Sequence, residues 1–187
     1  MQKLYFGIVI QPGRRLDNEI MGIIRDVSRK YKTYSALKDK KRAHITLVYM
    51  NQLLTQKEVD GAIAELRVLL KKIKPFTVRI DGVRTFRKKY GRKVNYVVFL
   101  RPIPNNGMST VHASVRRIMS PYKATWFNRF VPHMALARTD VNRKQFLGIL
   151  REYRNFSFKR SFRVTAINAM TRRGKNGNWK VVPMKLG

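Results

Sequence analysis

The chain has 187 residues, 44% of them apolar, which is enough for one domain with a real core and too apolar for general disorder. It contains no cysteine, so disulfides and thiolate metal sites are excluded, and no apolar run approaches the ~20 residues that span a bilayer. The 41 Lys and Arg against 10 Asp and Glu leave a net charge of +31, far more than solubility asks of a small domain and costly in self-repulsion unless a polyanion neutralises it.

Residues 4–10, Leu-Tyr-Phe-Gly-Ile-Val-Ile, read as a buried first strand closed by Gln11-Pro12-Gly13, and not as a signal peptide. Together with the lack of cysteine this gives a cytoplasmic expectation. Asp17 or Asn18 is expected to cap a helix reaching about Lys32, with Leu16, Ile20, Ile23, Ile24 and Val27 as its apolar stripe. A basic run over 38–42 then leads into the segment Ala43-His44-Ile45-Thr46-Leu47-Val48. Thr55-Gln56-Lys57-Glu58 has the form of a capping box for a second helix, buried through Val59, Ile63, Leu66, Leu69, Leu70 and Ile73 and stopped near Pro75. A strand over 76–80 continues past Asp81-Gly82 into a basic hairpin.

The order of elements then repeats. Residues 95–100 form a strand, and Asn105-Asn106-Gly107 a turn. Ser109 is expected to cap a helix carrying Val111, Val115, Ile118 and Met119, and the segment Pro132-His133-Met134-Ala135-Leu136-Ala137 follows. Asp140 is expected to cap a helix using Val141, Phe146, Ile149, Leu150 and Tyr153. Residues 158–170 read as one long strand, and 178–185 as the last, joined by a Gly174/Gly177 turn. The pattern strand, helix, histidine strand, helix, strand therefore occurs twice. The fold class is α+β: one domain of two pseudo-repeat lobes, about 1–90 and 91–187, each with an antiparallel sheet, the sheets facing across a cleft with helices outside.

Period-2 alternation puts His44 and Thr46 on one face of their strand, with Ile45 and Leu47 on the other; His133 and Ala135 likewise share a face opposite Met134 and Leu136. Two of three histidines thus stand in matching settings. A lone strand histidine is ordinarily a satisfied or solvated residue, and His112, beside the apolar stripe of its helix, is read that way. The motifs His44-Ile45-Thr46 and His133-Met134-Ala135 resemble the H-x-T/S pair of the two-histidine (2H) phosphoesterase superfamily, and Pro132, Leu136 and Arg138 resemble its 2′-5′ RNA ligase-like branch. The resemblance covers nearly the whole chain. It implies that His44 and His133 act as acid and base on either side of a phosphodiester, with Thr46 holding phosphate oxygens. Ala135 departs from the pattern, since it has no hydroxyl; losing one such donor costs ~10²- to 10³-fold in rate.

Three basic, aromatic-bearing segments are the candidate nucleic-acid surface: Arg87, Lys88, Lys89, Tyr90, Arg92 and Lys93 with Phe86; Arg172, Arg173, Lys175 and Trp179; and Trp126 and Arg129 with Tyr122. Arg14, Arg15, Lys41, Arg42 and Arg138 add to it. Cations neutralise phosphates, and exposed rings stack on unpaired bases, which favours single-stranded or structured RNA over sequence-reading of duplex DNA; the preference for RNA over DNA is implied more by the family resemblance than by composition. The bland alternative is a set of solvated hairpin tips. Metal dependence is not expected, because the three histidines are dispersed and carboxylates are not clustered, and no cofactor is expected. Two classes of function stand at this point: an RNA-binding protein with weak or no turnover, or an active metal-independent RNA or cyclic-nucleotide phosphodiesterase acting on 2′,3′-cyclic phosphates or 2′-5′ linkages. A permanently bound component of a ribonucleoprotein assembly is a variant of the first.

Overall fold

The computed structural model describes residues 3–38, 42–50, 53–90, 93–122, 130–174 and 177–187, with backbone only at Lys38, Lys88, Lys89, Tyr90 and Lys93. Lys41, Arg92, Trp126, Arg129 and Lys175 lie outside the described residues, as do the side chains of Lys88, Lys89, Tyr90 and Lys93.

The described elements are β1 (Lys3–Ile10), α1 (Arg14–Tyr31), α2 (Ser35–Lys38), β2 (Ile45–Tyr49), β3 (Leu54–Thr55), α3 (Gln56–Leu70), β4 (Phe76–Tyr90), β5 (Lys93–Ile103), α4 (Asn106–Met119), β6 (Met134–Ala137), α5 (Arg143–Tyr153), β7 (Lys159–Val164), β8 (Ala166–Arg173) and β9 (Lys180–Lys185), with a short 3₁₀ turn at Ser120–Tyr122. They form two antiparallel sheets. The first has the order β2-β1-β8-β9 with β3 also pairing β1; the second is β6-β5-β4-β7. The α+β architecture of two sheets with helices outside is therefore as the pattern implies.

Neither sheet is built from one half of the chain. β4, from the first half, lies beside β5 in the second sheet, and β8 and β9 join β1 in the first. The expected single strand over 158–170 is in fact two: β7 ends at Val164, and one residue later β8 begins in the other sheet. The alternation slips by one residue across the switch: Phe162 and Val164 are buried before it, Ile167 and Ala169 after it.

β1 lies between β2 and β8, and its apolar run suits that central place: Phe6, Ile8, Val9 and Ile10 are all fully buried. One contiguous apolar cluster takes in Leu4, Phe6, Ile8 and Ile10 from β1 together with Val98 and Leu100 from β5 and the apolar stripes of the long helices. The helices cross between sheets. α1 follows β1 of the first sheet yet packs against β6 of the second; α4 follows β5 of the second and packs against β2 of the first. Each histidine strand is an edge strand braced by a helix that follows a strand of the other sheet.

Three caps differ from expectation. Helix α1 starts after Gly13 with no side-chain cap, so Asp17 lies inside its first turn. Asn105, not Ser109, caps α4, its side chain accepting from the Met108 amide at 2.9 Å, so Asn106 and Gly107 are helical. Asn142, not Asp140, caps α5 through a capping box with Gln145. The Thr55/Glu58 capping box of α3 stands as read. Asp81-Gly82 is a bulge within a continuous β4, with Gly82 at φ +67°.

Candidate active site

Residues 43–48 and 132–137 each enter their strand from a basic or proline-bearing loop, and the pleat then fixes which side chains share a face. Ile45 and Leu47 are buried in the core, while the half-buried His44 and Thr46 occupy the opposite face of the first sheet, Thr46 directly across from Val9 of β1. On the second sheet Met134 and Leu136 are buried, and His133 and Ala135 take the other face, Ala135 across from Phe99 of β5.

The two imidazoles are held alike. His44 Nδ1 lies 3.0 Å from the Arg42 carbonyl, and His133 Nδ1 lies 2.9 Å from the Val131 carbonyl, in each case the residue two before it. A carbonyl oxygen only accepts, so each Nδ1–H is the donor, and the neutral ring then carries its lone pair on Nε2.

Their surroundings differ. The His133 ring meets Phe86 at 5.3 Å and Phe99 at 5.7 Å between centroids, both edge to face. Burial against these rings holds its pKa below the ordinary histidine value; the bond to Val131 opposes this, and the charge of Arg138 adds to it. Phe86 is thus a wall of the His133 site and not a base-stacking ring at a hairpin tip. At His44 the preceding segment is tied down instead. The buried Asp17 accepts from the Ala43 amide at 2.7 Å and from Arg42 Nε at 3.0 Å, and Arg42 Nη2 also reaches the Pro12 carbonyl at 3.2 Å.

Asp140 has a comparable part beyond β6. It accepts from the amides of Tyr34 (2.5 Å) and Ser35 (2.9 Å), while the Ser35 hydroxyl donates to the Arg138 carbonyl, joining the α1–α2 turn to the segment that follows the second motif. His112 stacks on Phe130 at 4.0 Å, and burial followed by the charge of Arg116 lowers its pKa. That is the structural role read for it.

The candidate nucleic-acid residues fall in several places. Arg14 and Arg15 are exposed at the start of α1, Arg87 on β4 and Arg173 at the end of β8; Arg138 is half-buried after β6. The Arg172 guanidinium sits between the rings of Tyr5 (4.9 Å) and Trp179 (4.7 Å), so Trp179 packs on a cation within the protein and is half-buried. Tyr122 is also half-buried against the core. Among the described residues no group of three or more His, Asp or Glu side chains gathers as a metal site would require, and no described helix is long and apolar enough to cross a membrane.

Sequence reasoning missed Asp17, Phe99 and the packing of Phe86. Asp17 bonds residues 25 and 26 positions away, and the two phenylalanines come beside His133 only through the register of three strands.

A sequence profile described as the 2′-5′ RNA ligase superfamily matches residues 14–176. The chain belongs to that superfamily, and with it to the two-histidine phosphoesterases. Among curated proteins it is 26% identical over 148 residues to a Bacillus licheniformis protein provisionally named a phosphoesterase, covering 78% of this chain and 79% of that one. Among solved structures, a Thermus thermophilus protein superposes with TM-score 0.67 at 14% identity over 97% of both chains. Escherichia coli LigT complexed with 3′-AMP gives TM-score 0.58 at 16% identity, covering 99% of this chain and 96% of that one. At these identities the solved structures speak for the fold alone.

Proposed function

We propose that this protein is an RNA phosphodiesterase of acid–base type, acting on 2′,3′-cyclic phosphate ends or 2′-5′ linkages, with His44 and His133 as its proton-transfer pair and Thr46 as a phosphate donor. The observation that carries this reading is the matched pair of Nδ1-to-carbonyl hydrogen bonds. A structural histidine needs no particular nitrogen presented; two motif histidines held in the same tautomer by the same local bond suit proton transfer through Nε2. The lowered pKa of His133 keeps it neutral at neutral pH, which supports the base role for it in hydrolysis. It takes a proton from water as the water oxygen bonds to phosphorus. The bond from phosphorus to one ribose oxygen then breaks, and His44 as imidazolium returns a proton to that oxygen. LigT has been crystallised with 3′-AMP, phosphate, ATP and NADP+, ligands of the phosphate class this reading requires.

The second reading, an RNA-binding protein with weak or no turnover, is favoured by Ala135 and by the charge of +31. One experiment separates the two: hydrolysis of 2′,3′-cyclic mononucleotides and of RNA with cyclic-phosphate ends, in the presence of EDTA, by the wild type, His44→Ala, His133→Ala and Ala135→Thr. The first reading expects turnover that either histidine substitution abolishes and that Ala135→Thr raises, by up to ~10²-fold if the missing hydroxyl is the limiting donor. RNA bound without turnover by the wild type and Ala135→Thr alike supports the second.

A further inference from the structure

The open face of the second sheet carries a recess that none of the histidine chemistry uses. It has a volume of about 540 Å³ and is lined by Arg79, Ile80 and Asp81 of β4, Ile103 of β5, and Lys159, Arg160 and Ser161 of β7. Strand alternation places Arg79, Asp81, Ile103, Lys159 and Ser161 of this lining on the same face as His133, while Ile80 and its partner Arg160 belong to the other face. Phe99, which touches the His133 ring, is followed at i+2 and i+4 by Arg101 and Ile103; Ile103 pairs with Arg79, and Arg79 pairs with Ser161. Four residues of strand put the recess about 13 Å from Phe99.

Its charges do not cancel. Arg160 is committed to Glu19 through two bonds, of 2.6 and 3.1 Å, and Asp81 is committed to Arg101. Arg79 and Lys159 are both exposed and have no carboxylate partner among the described residues. Two uncompensated cations beside a hydroxyl, in a concave site, make an anion-binding site.

We infer that this recess binds a phosphodiester of the same RNA strand whose end lies at the histidines, so that the protein takes oligonucleotides in preference to mononucleotides. The inference rests on the proposed function for the identity of the strand, and on the recess alone for the phosphate. The corresponding face of the first sheet does not offer the same track: Val9 of β1 and Asn168, Met170 and Arg172 of β8 lie there, with Arg172 already held between Tyr5 and Trp179.

The test uses the full chain, fluorescein-labelled oligouridylates of two to eight nucleotides, and anisotropy titrations at about 50 and 200 mM salt. The variants are Arg79→Gln/Lys159→Gln and, as a control of equal charge change, Arg143→Gln/Lys144→Gln on the exposed face of α5. For the wild type, affinity should step up once the oligomer spans the distance to the recess. The recess variant should lose about tenfold on the octamer and under about twofold on the dinucleotide, with the slope of log K against log salt shallower by about 0.7 to 1.4. Equal loss on dinucleotide and octamer, wild-type binding by the recess variant, or an identical loss in the control would overturn the inference. Unchanged melting temperatures keep each result readable, since both pairs are exposed. His44→Ala, inactive if the proposed chemistry holds, should keep the length dependence. Absence of turnover with length dependence intact would therefore count against the proposed function and not against the recess.

Discussion

At the scale of single residues, the two motif histidines share a hydrogen bond but not an environment, and the difference has a pH signature. Burial against Phe86 and Phe99 disfavours the His133 imidazolium. A general base must be neutral to act, so kcat/KM should rise with pH through the His133 ionisation, placing the acid limb below the unperturbed value of about 6.5. Opening the site with Phe86→Ala should move that limb up towards 6.5. A wild-type limb at or above 6.5, or one that ignores Phe86, would remove His133 from the base role. The same depression acts on stability. The unfolded chain binds the proton first, so this contribution is complete above about pH 6.5 and is lost as pH falls through the folded value. His112 contributes with the same sign.

At the scale of elements, the approach to β2 is held by a side chain of α1. Asp17, 6% exposed, satisfies the Ala43 amide and pairs with Arg42, fixing the backbone immediately before His44. Asp17→Ala leaves a buried N–H without its acceptor and should cost about 1 to 3 kcal/mol in chemical denaturation. Asp17→Asn retains an oxygen for that amide and loses only the ion pair with a half-exposed guanidinium, a loss of about 0 to 1 kcal/mol. Turnover should follow the same order, with the alanine variant the poorer, because a loosened residue 43 misplaces the imidazole. Equal stability of the two variants would show that the amide bond is not what holds the segment.

This clamp also shows where local reading stops. The Thr55/Glu58 box lies within four residues and was legible as such. Asp17 and Asp140 are of the residue type that caps helices, yet their acceptor oxygens serve residues 43 and 34–35, brought close only by the fold. The histidine motifs were legible because alternation decides their face within three residues. The aromatic surround of His133 was not, since Phe86 and Phe99 reach it through the pairing of β4, β5 and β6. The change of sheet at Thr165 did leave a trace, a one-residue slip from Phe162 and Val164 to Ile167 and Ala169, but one slip within an apolar run also fits a bulge in a single strand.

At the scale of the whole molecule, the acidic residues are largely spent on holding the fold together. Asp17, Glu19, Asp26, Glu58, Asp60, Asp81, Asp140 and Glu152 all accept hydrogen bonds from neighbouring groups, and with 10 carboxylates against 41 cations the net charge stays at +31. Salt should therefore act very differently on two substrates of the same site. On the proposed function, a cyclic mononucleotide would engage the histidine pair and one phosphate's worth of cations, so its KM should change by only a few-fold between about 50 and 200 mM salt. A single-stranded RNA engaging six to ten phosphates should show a log–log slope of about −4 to −7, a loss of roughly 300- to 15,000-fold in affinity over that interval. The ratio of the two KM values, measured with the same enzyme preparation, isolates the polyanion contribution from the chemistry. If the ratio stays constant with salt, the surface charge is not a strand-binding device, and the positive excess must be neutralised by some other acidic partner.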